Sequence, residues 1–220
     1  MNDHGAERFF DAIARRYDRV YAPEREETRG SLLRVLRELA PRSRVLDLGI
    51  GTGRELPFLL DAGHSPVGLD VSAEMLAVCA RRARVVPLVK GDLWERMPWD
   101  DSSFDAVIAL HGTLSHPTSA ERLATFPREV ARLLRPGGVL VAEVPTRAWF
   151  DDAARDLRSV VEPLSNGRGR FVDTATGATV DAWFFSPEEW ATLFERELRV
   201  EVLPVGVGEV MIVGRKAAVA

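Results

Sequence analysis

The sequence predicts an α/β fold built on a largely parallel sheet. Short apolar runs, each β-branched or leucine-rich, alternate with longer helical stretches along the chain, and this alternation is typical of α/β proteins. Each run is bounded by glycine, proline or aspartate, as expected for buried strands. With 220 residues, 46% of them hydrophobic and 28% charged, the chain is long enough to bury one domain-sized core.

Five apolar runs are predicted to form successive buried strands, because each is short, continuous and apolar. They are Arg44–Leu48, Val67–Asp70, Val85–Val89, Phe104–Leu110 and Val139–Val144. Four helices are predicted before or between them, and the second begins near Arg54. The other three are Arg29–Leu39, Ala73–Arg84 after an N-capping Ser72, and Ala120–Leu134 before a Pro-Gly-Gly stop at 136–138.

The pattern changes after Pro145. Arg147–Val161 is predicted to be helical, and Phe171–Phe185 to form two strands around a turn near Thr176. The stretch 146–185 is therefore interpreted as an insertion that is too small to be a separate domain. Such insertions often form one wall of a ligand site, and some only cover a sheet edge.

The C-terminal part of the chain, 186–220, carries clear boundary signals. Ser186-Pro187-Glu188-Glu189 is a capping box with proline at the first helical position. It predicts a helix that continues through Glu195. Two further apolar runs, Leu198–Val205 and Glu209–Gly214, predict a terminal hairpin.

Composition narrows the function classes. The formal net charge of −4 argues against broad electrostatic attraction to nucleic acid or to anionic membranes. Cys79 is the single cysteine, so no intrachain disulfide can form, and we expect no metal site. No segment resembles a signal peptide or is apolar over a length that could span a membrane, so we expect a cytoplasmic protein. We also expect either a monomer or a homodimer.

The strongest motif is the glycine-rich turn at 45–53, Val-Leu-Asp-Leu-Gly-Ile-Gly-Thr-Gly, which leads from a strand into a helix. Its glycines permit a tight turn and a close approach to a ligand, next to the free N–H groups of a helix N-terminus. A dinucleotide fingerprint would need a third small residue at position 54, where the chain has Arg54. A phosphate-binding P-loop is excluded because no Gly-Lys-Ser/Thr follows.

Three aspartates lie at or near the ends of three of the predicted strands. Asp47 precedes the turn, where it would repel a pyrophosphate but suit a ligand that carries an ammonium group. Asp70 ends the next strand, as expected for a carboxylate that binds ribose hydroxyls; the alternative is an aspartate that serves the N-terminus of the following helix. Asp92 follows the third strand and could accept a hydrogen bond from an adenine amino group.

Five segments in order resemble the class I S-adenosylmethionine-dependent methyltransferases. They are the turn at 45–53, Gly-Leu-Asp-Val-Ser at 68–72, Gly-Asp-Leu at 91–93, Phe-Asp-Ala-Val-Ile-Ala at 104–109 and Leu-Leu-Arg-Pro-Gly-Gly-Val-Leu at 133–140. The resemblance implies a Rossmann-like sheet of seven strands with an antiparallel last strand, helices on both faces, and S-adenosylmethionine as cofactor. One departure is Ile50, where the family often has cysteine or another small residue.

The resemblance also implies the site residues. Asp47, Gly49 and Gly51 would surround the methionine part of the cofactor, Asp70 the ribose, and Asp92 with Leu93 the adenine. Further cofactor contacts are implied for Thr52, Gly53, Val71, Met75, Gly91, Leu110 and His111. The segment 10–18 resembles the leading helix of small-molecule members, in which a tyrosine closes over the cofactor; Tyr17, or alternatively Tyr21, would have this role unless the aromatic residues only pack.

These assignments divide a single domain, 1–220, into four parts. They are an N-terminal helical cap (1–40), a cofactor-binding core (41–145), an insertion that covers the substrate site (146–185), and a final helix with a hairpin (186–220). Aromatic residues of the insertion could line an acceptor pocket or could simply pack; they are Trp149, Phe150, Phe171, Trp183 and Phe184. Arg147 and Arg170 could pair with an acidic substrate or lie in solvent.

Methyl transfer needs alignment, exclusion of water and, for a hydroxyl or ammonium acceptor, removal of a proton. His111 and His116 follow the fourth strand, at the sheet edge where open α/β sheets bind ligands, and a histidine has a suitable pKa for a base. Both are therefore candidate catalytic residues, and either could instead shape the pocket.

We expect a small-molecule acceptor, because the insertion is short and no nucleic-acid or peptide recognition module is recognisable. An RNA or protein methyltransferase is the first alternative, disfavoured by the acidic balance and by the absence of an Asn/Asp-Pro-Pro-Tyr/Phe segment after the fourth strand. A non-catalytic S-adenosylmethionine-binding scaffold is the second, against which the intact Asp47, Asp70 and Asp92 weigh. An NAD-dependent dehydrogenase is disfavoured by Arg54 and Asp47.

Overall fold

The computed structural model describes residues 5–20, 26–149, 159–164, 167–206 and 208–218. The strands in these ranges are β1 (Arg44–Leu48), β2 (Ser65–Asp70), β3 (Leu88–Lys90), β4 (Phe104–Ala109), β5 (Leu134–Pro145), β6 (Ser159–Pro163), β7 (Arg168–Asp173), β8 (Thr179–Trp183), β9 (Arg199–Pro204) and β10 (Glu209–Arg215). The helices are α1 (Gly5–Ile13), α2 (Tyr17–Val20), α3 (Glu26–Leu36), α4 (Leu56–Asp61), α5 (Ala73–Arg82), α6 (Ala120–Leu133) and α7 (Pro187–Phe194).

The main sheet has seven strands in the order β3-β2-β1-β4-β5-β10-β9. The first five strands pair in parallel, whereas β10 is antiparallel to both β5 and β9. The mostly parallel sheet with an antiparallel last strand is therefore confirmed. Because β1 is central and flanked by β2 and β4, its carboxyl end lies at the point where the strand order reverses, and open α/β sheets bind ligands there.

Successive side chains of the strands point to opposite faces, so each face of the sheet buries its own helices. Leu46 and Leu48 of β1 pack in the same apolar cluster as Phe126 of α6 and Trp190 of α7. Val45 points the other way, into a cluster formed with α3, α4 and α5. The predicted arrangement of helices on both faces is confirmed.

Residues 159–185 contain a second, three-stranded antiparallel sheet in the order β6-β7-β8. The two strands predicted within Phe171–Phe185 are present as β7 and β8. Helix α1 lies between this sheet and α5, and its Phe9 and Ile13 share an apolar cluster with Val180 of β8 and Met75 of α5. The N-terminal helix and the insertion therefore pack against each other, and α5 completes the same apolar cluster.

Several predicted bounds differ from the structure. Helix α6 ends at Leu133, and the Pro-Gly-Gly stop predicted at 136–138 lies within strand β5 instead of in a turn. Two other elements differ more strongly. The third strand covers Leu88–Lys90 instead of Val85–Val89, because Val85 lies in a turn and is 84% exposed. The helix predicted over 147–161 is wrong at its end, since residues 147–149 are helical but Ser159–Pro163 is strand β6. Pairing with β7 outweighs a helical pattern there, and positions 150–158 lie outside the described residues.

The predicted capping box is confirmed. Ser186 Oγ accepts a hydrogen bond from Glu189 N, and Glu189 Oε2 accepts one from Ser186 N at 2.7 Å. The helix that it opens, α7, buries Trp190, whose Nε1 donates to the carbonyl oxygen of Pro145 at 3.0 Å. Among the described residues, none of the helices is long and apolar enough to cross a membrane.

Leu59→Ala is expected to lower the free energy of unfolding by about 2–5 kcal/mol, because deleting a fully buried side chain leaves a cavity. Leu59 is 0% exposed in α4, the helix that follows the glycine-rich turn. Leu60→Ala is the matched control, because Leu60 lies next to Leu59 but is 39% exposed. This substitution should change the free energy of unfolding by well under about 1 kcal/mol. Urea unfolding measures both; equal losses would contradict the burial that the structure assigns to α4.

Candidate functional site

The glycine-rich turn crosses from the end of β1 to the end of β2. The backbone N–H groups of Gly49 and Ile50 both donate to the carbonyl oxygen of Leu69, at 2.8 and 3.1 Å. Gly49 has a φ of +65°, and a Cβ there would lie 2.5 Å from Thr113 Cγ2. Only glycine can occupy this position, because a side chain would collide with the segment that follows β4.

A cavity opens beside this turn at the carboxyl ends of β1, β2 and β4. Its volume is about 1050 Å³, which includes the open solvent at its mouth. Every predicted site residue except Gly53 lines it: Tyr17, Asp47, Gly49, Gly51, Thr52, Asp70, Val71, Met75, Gly91, Asp92, Leu93, Leu110, His111 and His116. The structure thus brings together residues that lie up to 99 positions apart in the chain.

Gly53 faces the protein interior instead of the cavity. A Cβ at this position would lie 2.7 Å from Cys79 Sγ and 2.9 Å from Leu56 Cδ1. The glycine therefore allows the turn to pack closely against α4 and α5, and this geometry corrects the expectation that Gly53 lines the cofactor site.

Asp70 connects the turn to the next helix. Its Oδ2 accepts a hydrogen bond from Gly51 N and its Oδ1 one from Ser72 N, both at 2.8 Å. Asp70 therefore serves the start of α5, as one of the two alternatives predicts, and it also lines the cavity. Its binding of ribose hydroxyls stays a prediction. Burial raises the pKa of Asp70 to about 6, although the hydrogen bonds from Ser72, Gly51 and Val71 oppose this shift.

Asp47 is 4% exposed and also lines the cavity. Burial raises its pKa well above the ordinary value, and the negative charges of Glu55 and Asp70 raise it further. The described residues that line this cavity include one arginine, Arg54, and five acidic residues. The acidic residues are Glu7, Asp47, Glu55, Asp70 and Asp92. Such a lining favours a ligand that carries positive charge.

Asp92 lines the cavity from the segment that follows β3. Its Oδ1 accepts from Trp94 N at 2.9 Å, and Arg122 Nη1 lies 3.5 Å from Oδ2. Leu93 and Trp94 continue the same wall, and Trp94 packs on Phe126 with ring centroids 5.0 Å apart. Leu93 and Trp94 thus give the cavity an apolar wall next to the Asp92 carboxylate, a combination that suits a planar base.

The N-terminal helices α1 and α2 are joined to the core beside the cavity by polar contacts. Asp11 Oδ1 accepts from Ser72 Oγ at 2.6 Å, and Asp18 Oδ1 accepts from Thr52 Oγ1 at 2.6 Å. Glu7 forms an ion pair with Lys90 at 2.7 Å. Tyr17, at the start of α2, lines the cavity, and its closure over the cofactor stays a prediction. Tyr21 lies outside the described residues.

His116 and His111 have different environments. His116 Nδ1 lies 2.9 Å from the carbonyl oxygen of Asp181 in β8. Because a carbonyl only accepts hydrogen bonds, Nδ1 carries the proton and the neutral ring keeps its lone pair on Nε2. Burial lowers the pKa of His116, so the neutral form is favoured.

His111 is held between two carboxylates. Its Nε2 lies 2.9 Å from Glu55 Oε1, and its Nδ1 lies 3.4 Å from Glu143 Oε2. Both ring nitrogens therefore face carboxylates of the protein, and Nε2 is within hydrogen-bond distance of one of them. Of the two candidate bases, His116 is therefore the one whose geometry suits proton removal.

The aromatic residues of the insertion pack mainly on one another. Trp149 stacks on Phe184 with ring centroids 5.8 Å apart and contacts Phe171 at 5.5 Å. Trp183 packs on Phe185 instead. None of these described residues lines the cavity. Their contacts with one another favour the packing alternative over an acceptor pocket. Phe150 lies outside the described residues.

The two arginines considered for an acidic substrate have protein partners. Arg147 pairs with Glu189 at 2.9 Å, and Arg170 forms a two-pronged ion pair with Asp181 at 2.6 and 3.1 Å. The described part of the chain contains no group of three or more histidine, cysteine, aspartate or glutamate side chains placed to hold a metal ion.

Sequence reasoning missed several residues of the cavity wall. Phe10, Arg54, Glu55, Trp94 and Thr113 all line it. Glu143, which supports His111, was also missed. It is the one acid within the apolar run of β5 and is 0% exposed, and a charge in a buried strand is a signal that the sequence did contain.

The cavity fits S-adenosylmethionine. Buried carboxylates stand where a phosphate would be repelled and a sulfonium or ammonium group attracted, and the glycines let a ligand approach the backbone. Asp70, Leu93 and Trp94 all line this cavity.

Comparison with known proteins agrees with this assignment. Residues 45–138 match a family model described as a methyltransferase domain. A demethylmenaquinone methyltransferase from Mycolicibacterium gilvum (strain PYR-GCK) is 33% identical over 193 residues, which cover 85% of this chain and 78% of the relative. A cypemycin N-terminal methyltransferase from Streptomyces sp. is 33% identical over 176 residues, or 72% of this chain and 70% of that one.

Solved structures share the architecture as well. The structure of a DhpI-SAM-HEP complex is 26% identical and superposes with a TM-score of 0.71, covering 98% of this chain and 100% of that chain. Its S-adenosylmethionine complex supports the same cofactor for the cavity described above.

Binding of S-adenosylhomocysteine is expected to weaken on acidification through about pH 6, by up to about tenfold per pH unit. If Asp70 binds the ribose as the resemblance implies, its protonation removes the negative charge and turns one acceptor oxygen into a donor. A carboxylate whose pKa is raised is ionised above that value and takes up a proton below it, so affinity is highest at neutral pH. Calorimetry between about pH 5 and about pH 8 measures this, together with proton release near pH 6. Asp70→Asn should bind more weakly and lose the proton release assigned to this group; proton release unchanged in Asp70→Asn would contradict the assignment.

Proposed function

Because the chain belongs to the class I S-adenosylmethionine-dependent methyltransferases, we propose that it methylates a hydroxyl or amine of a small molecule by in-line displacement, with His116 as the base. The observation that carries this proposal is the hydrogen bond from His116 Nδ1 to the Asp181 carbonyl oxygen. It leaves Nε2 as the acceptor of a side chain that lines the cofactor cavity. A neutral imidazole in this position can take the proton that a hydroxyl or ammonium acceptor must lose.

When bound, the cofactor supplies a methyl group on a positively charged sulfur. The protein's part is to bind, orient and exclude water. Asp47 and the turn at 49–51 hold the methionine end, Asp70 the ribose and Asp92 the adenine. Phe10 and Tyr17 of the N-terminal cap cover the cavity and keep water from the reacting groups.

We further propose that the insertion, 146–185, covers the acceptor site and positions the base. Strand β8 provides the carbonyl oxygen that orients His116, and the ring of Phe10 packs edge-on against His116 with centroids 5.6 Å apart. The cap and the insertion therefore meet at the proposed base. Arg16 strengthens this junction through an ion pair with the fully buried Asp173 at the end of β7.

A peptide amine is a second candidate acceptor, because one relative is named a cypemycin N-terminal methyltransferase. The same base chemistry would serve it. The two candidates are distinguished by incubating the enzyme and cofactor with separate panels of amino sugars, phenolic or quinol compounds, and short peptides with free N-termini. Release of S-adenosylhomocysteine with one panel alone identifies the class.

His116→Gln is expected to retain affinity for S-adenosylhomocysteine and to lower kcat by about 10²–10⁴-fold, because glutamine cannot take up the proton. The lowered pKa of His116 places the acidic fall in wild-type rate below the ordinary value of 6.5, and this fall should disappear in the variant. Calorimetry measures binding, and single-turnover assays across pH measure the rate. Unchanged turnover in His116→Gln would exclude His116 as the base.

A further inference from the structure

We propose that Glu55 is a specificity-determining residue that binds the ammonium group of the cofactor's amino-acid tail, and that His111 and Glu143 position its carboxylate. This role of Glu55 does not depend on the identity of the methyl acceptor. Three side chains surround His111 in one charged cluster, and they are Glu55, Glu143 and Arg54.

Glu55 is placed at the methionine end of the cavity. It is the residue directly before α4, two positions after the glycine-rich turn, and its side chain is 13% exposed on the cavity wall. Asp47 lines the same end, and the charge of Glu55 is close enough to raise the pKa of Asp47. Two carboxylates that repel each other in a largely buried site are stabilised by a bound cation.

His111 fixes the direction of the Glu55 carboxylate. Its Nε2 lies 2.9 Å from Glu55 Oε1. A carboxylate has two oxygens, each with two lone pairs, so this contact leaves Oε2 as an acceptor at the cavity wall. An ammonium group is the matching donor, since it carries three N–H groups and a full positive charge.

Glu143 in turn fixes His111. Glu143 is 0% exposed in β5, and its Oε2 accepts from His111 N at 2.8 Å while lying 3.4 Å from the ring Nδ1. His111 has a φ of +55°, in the left-handed region that non-glycine residues seldom adopt. Strain of this kind persists where surrounding contacts impose it, and it is concentrated at ligand sites.

Arg54 completes the complementarity to a zwitterion. Its Nη1 lies 3.5 Å from His111 Nε2, and the side chain lines the same end of the cavity. The site therefore offers two carboxylates and one guanidinium within one cluster. An α-amino-acid tail, with one ammonium and one carboxylate group, matches this arrangement, whereas a neutral or purely anionic tail does not.

The test compares two ligands that differ only in the ammonium group. S-adenosylhomocysteine and its deamino analogue, in which hydrogen replaces the tail amine, are titrated into wild-type protein and Glu55→Gln by calorimetry. Glu55→Gln is expected to weaken S-adenosylhomocysteine by about 10- to 100-fold and to leave the analogue unchanged, because a charge-assisted hydrogen bond is lost only for the amine. Asp61→Asn is the matched control, since it also removes one negative charge from the α4 region but is exposed and outside the cavity.

His111→Gln tests the positioning role separately. It should reduce the preference for S-adenosylhomocysteine over the analogue in the same direction as Glu55→Gln, by a smaller factor, because Glu55 remains but is no longer oriented. The proposal is wrong if Glu55→Gln binds S-adenosylhomocysteine within about twofold of wild type. It is equally wrong if both ligands weaken together, since that result would make Glu55 a structural partner of His111 alone.

Discussion

The carboxylate of Asp70 is the interaction on which the rest of the site depends. It accepts hydrogen bonds from Gly51 on the glycine-rich turn and from Ser72 at the start of α5, so one side chain joins β2, the turn and the helix. Ser72 in turn accepts from Met75 N and donates to Asp11 of α1. The cofactor cavity and the N-terminal cap above it are thus parts of one hydrogen-bonded chain that begins at the end of β2.

Charge placement in the cavity has an energetic cost that a cationic ligand offsets. Burial raises the pKa of Asp47 and Asp70, which means that the ligand-free protein holds ionised carboxylates unfavourably. A ligand with a sulfonium and an ammonium group removes that penalty, and an acidic cavity in a protein of net charge −4 favours such a ligand over a dinucleotide. The same physical argument explains why Asp47 in the glycine-rich turn distinguishes this site from a pyrophosphate site.

The two histidines show how far a motif can assign a role. Both lie after β4 and both line the cavity, so position alone makes them equivalent candidates. Their partners separate them, because His116 faces a carbonyl oxygen of the insertion and His111 faces two carboxylates. These partners lie 32 to 65 positions away, and local sequence patterns carry no information about such contacts.

The sequence by itself determined the elements that local chemistry controls. Apolar runs bounded by glycine, proline or aspartate located β1, β2, β4 and β5, and the capping box located α7. The turn at 45–53, together with Asp70 and Asp92 after the next strands, located the cofactor site. Backbone preference and burial pattern are local properties, which is why the sequence reveals them. The tertiary structure decided the rest. The C-terminal part of the helix predicted over 147–161 forms strand β6, and Gly53 faces the interior. The aromatic residues of the insertion pack on one another, and Glu55, His111 and Glu143 lie together. Each of these outcomes depends on strand register and on contacts between distant segments, and those are decided only when the whole chain packs.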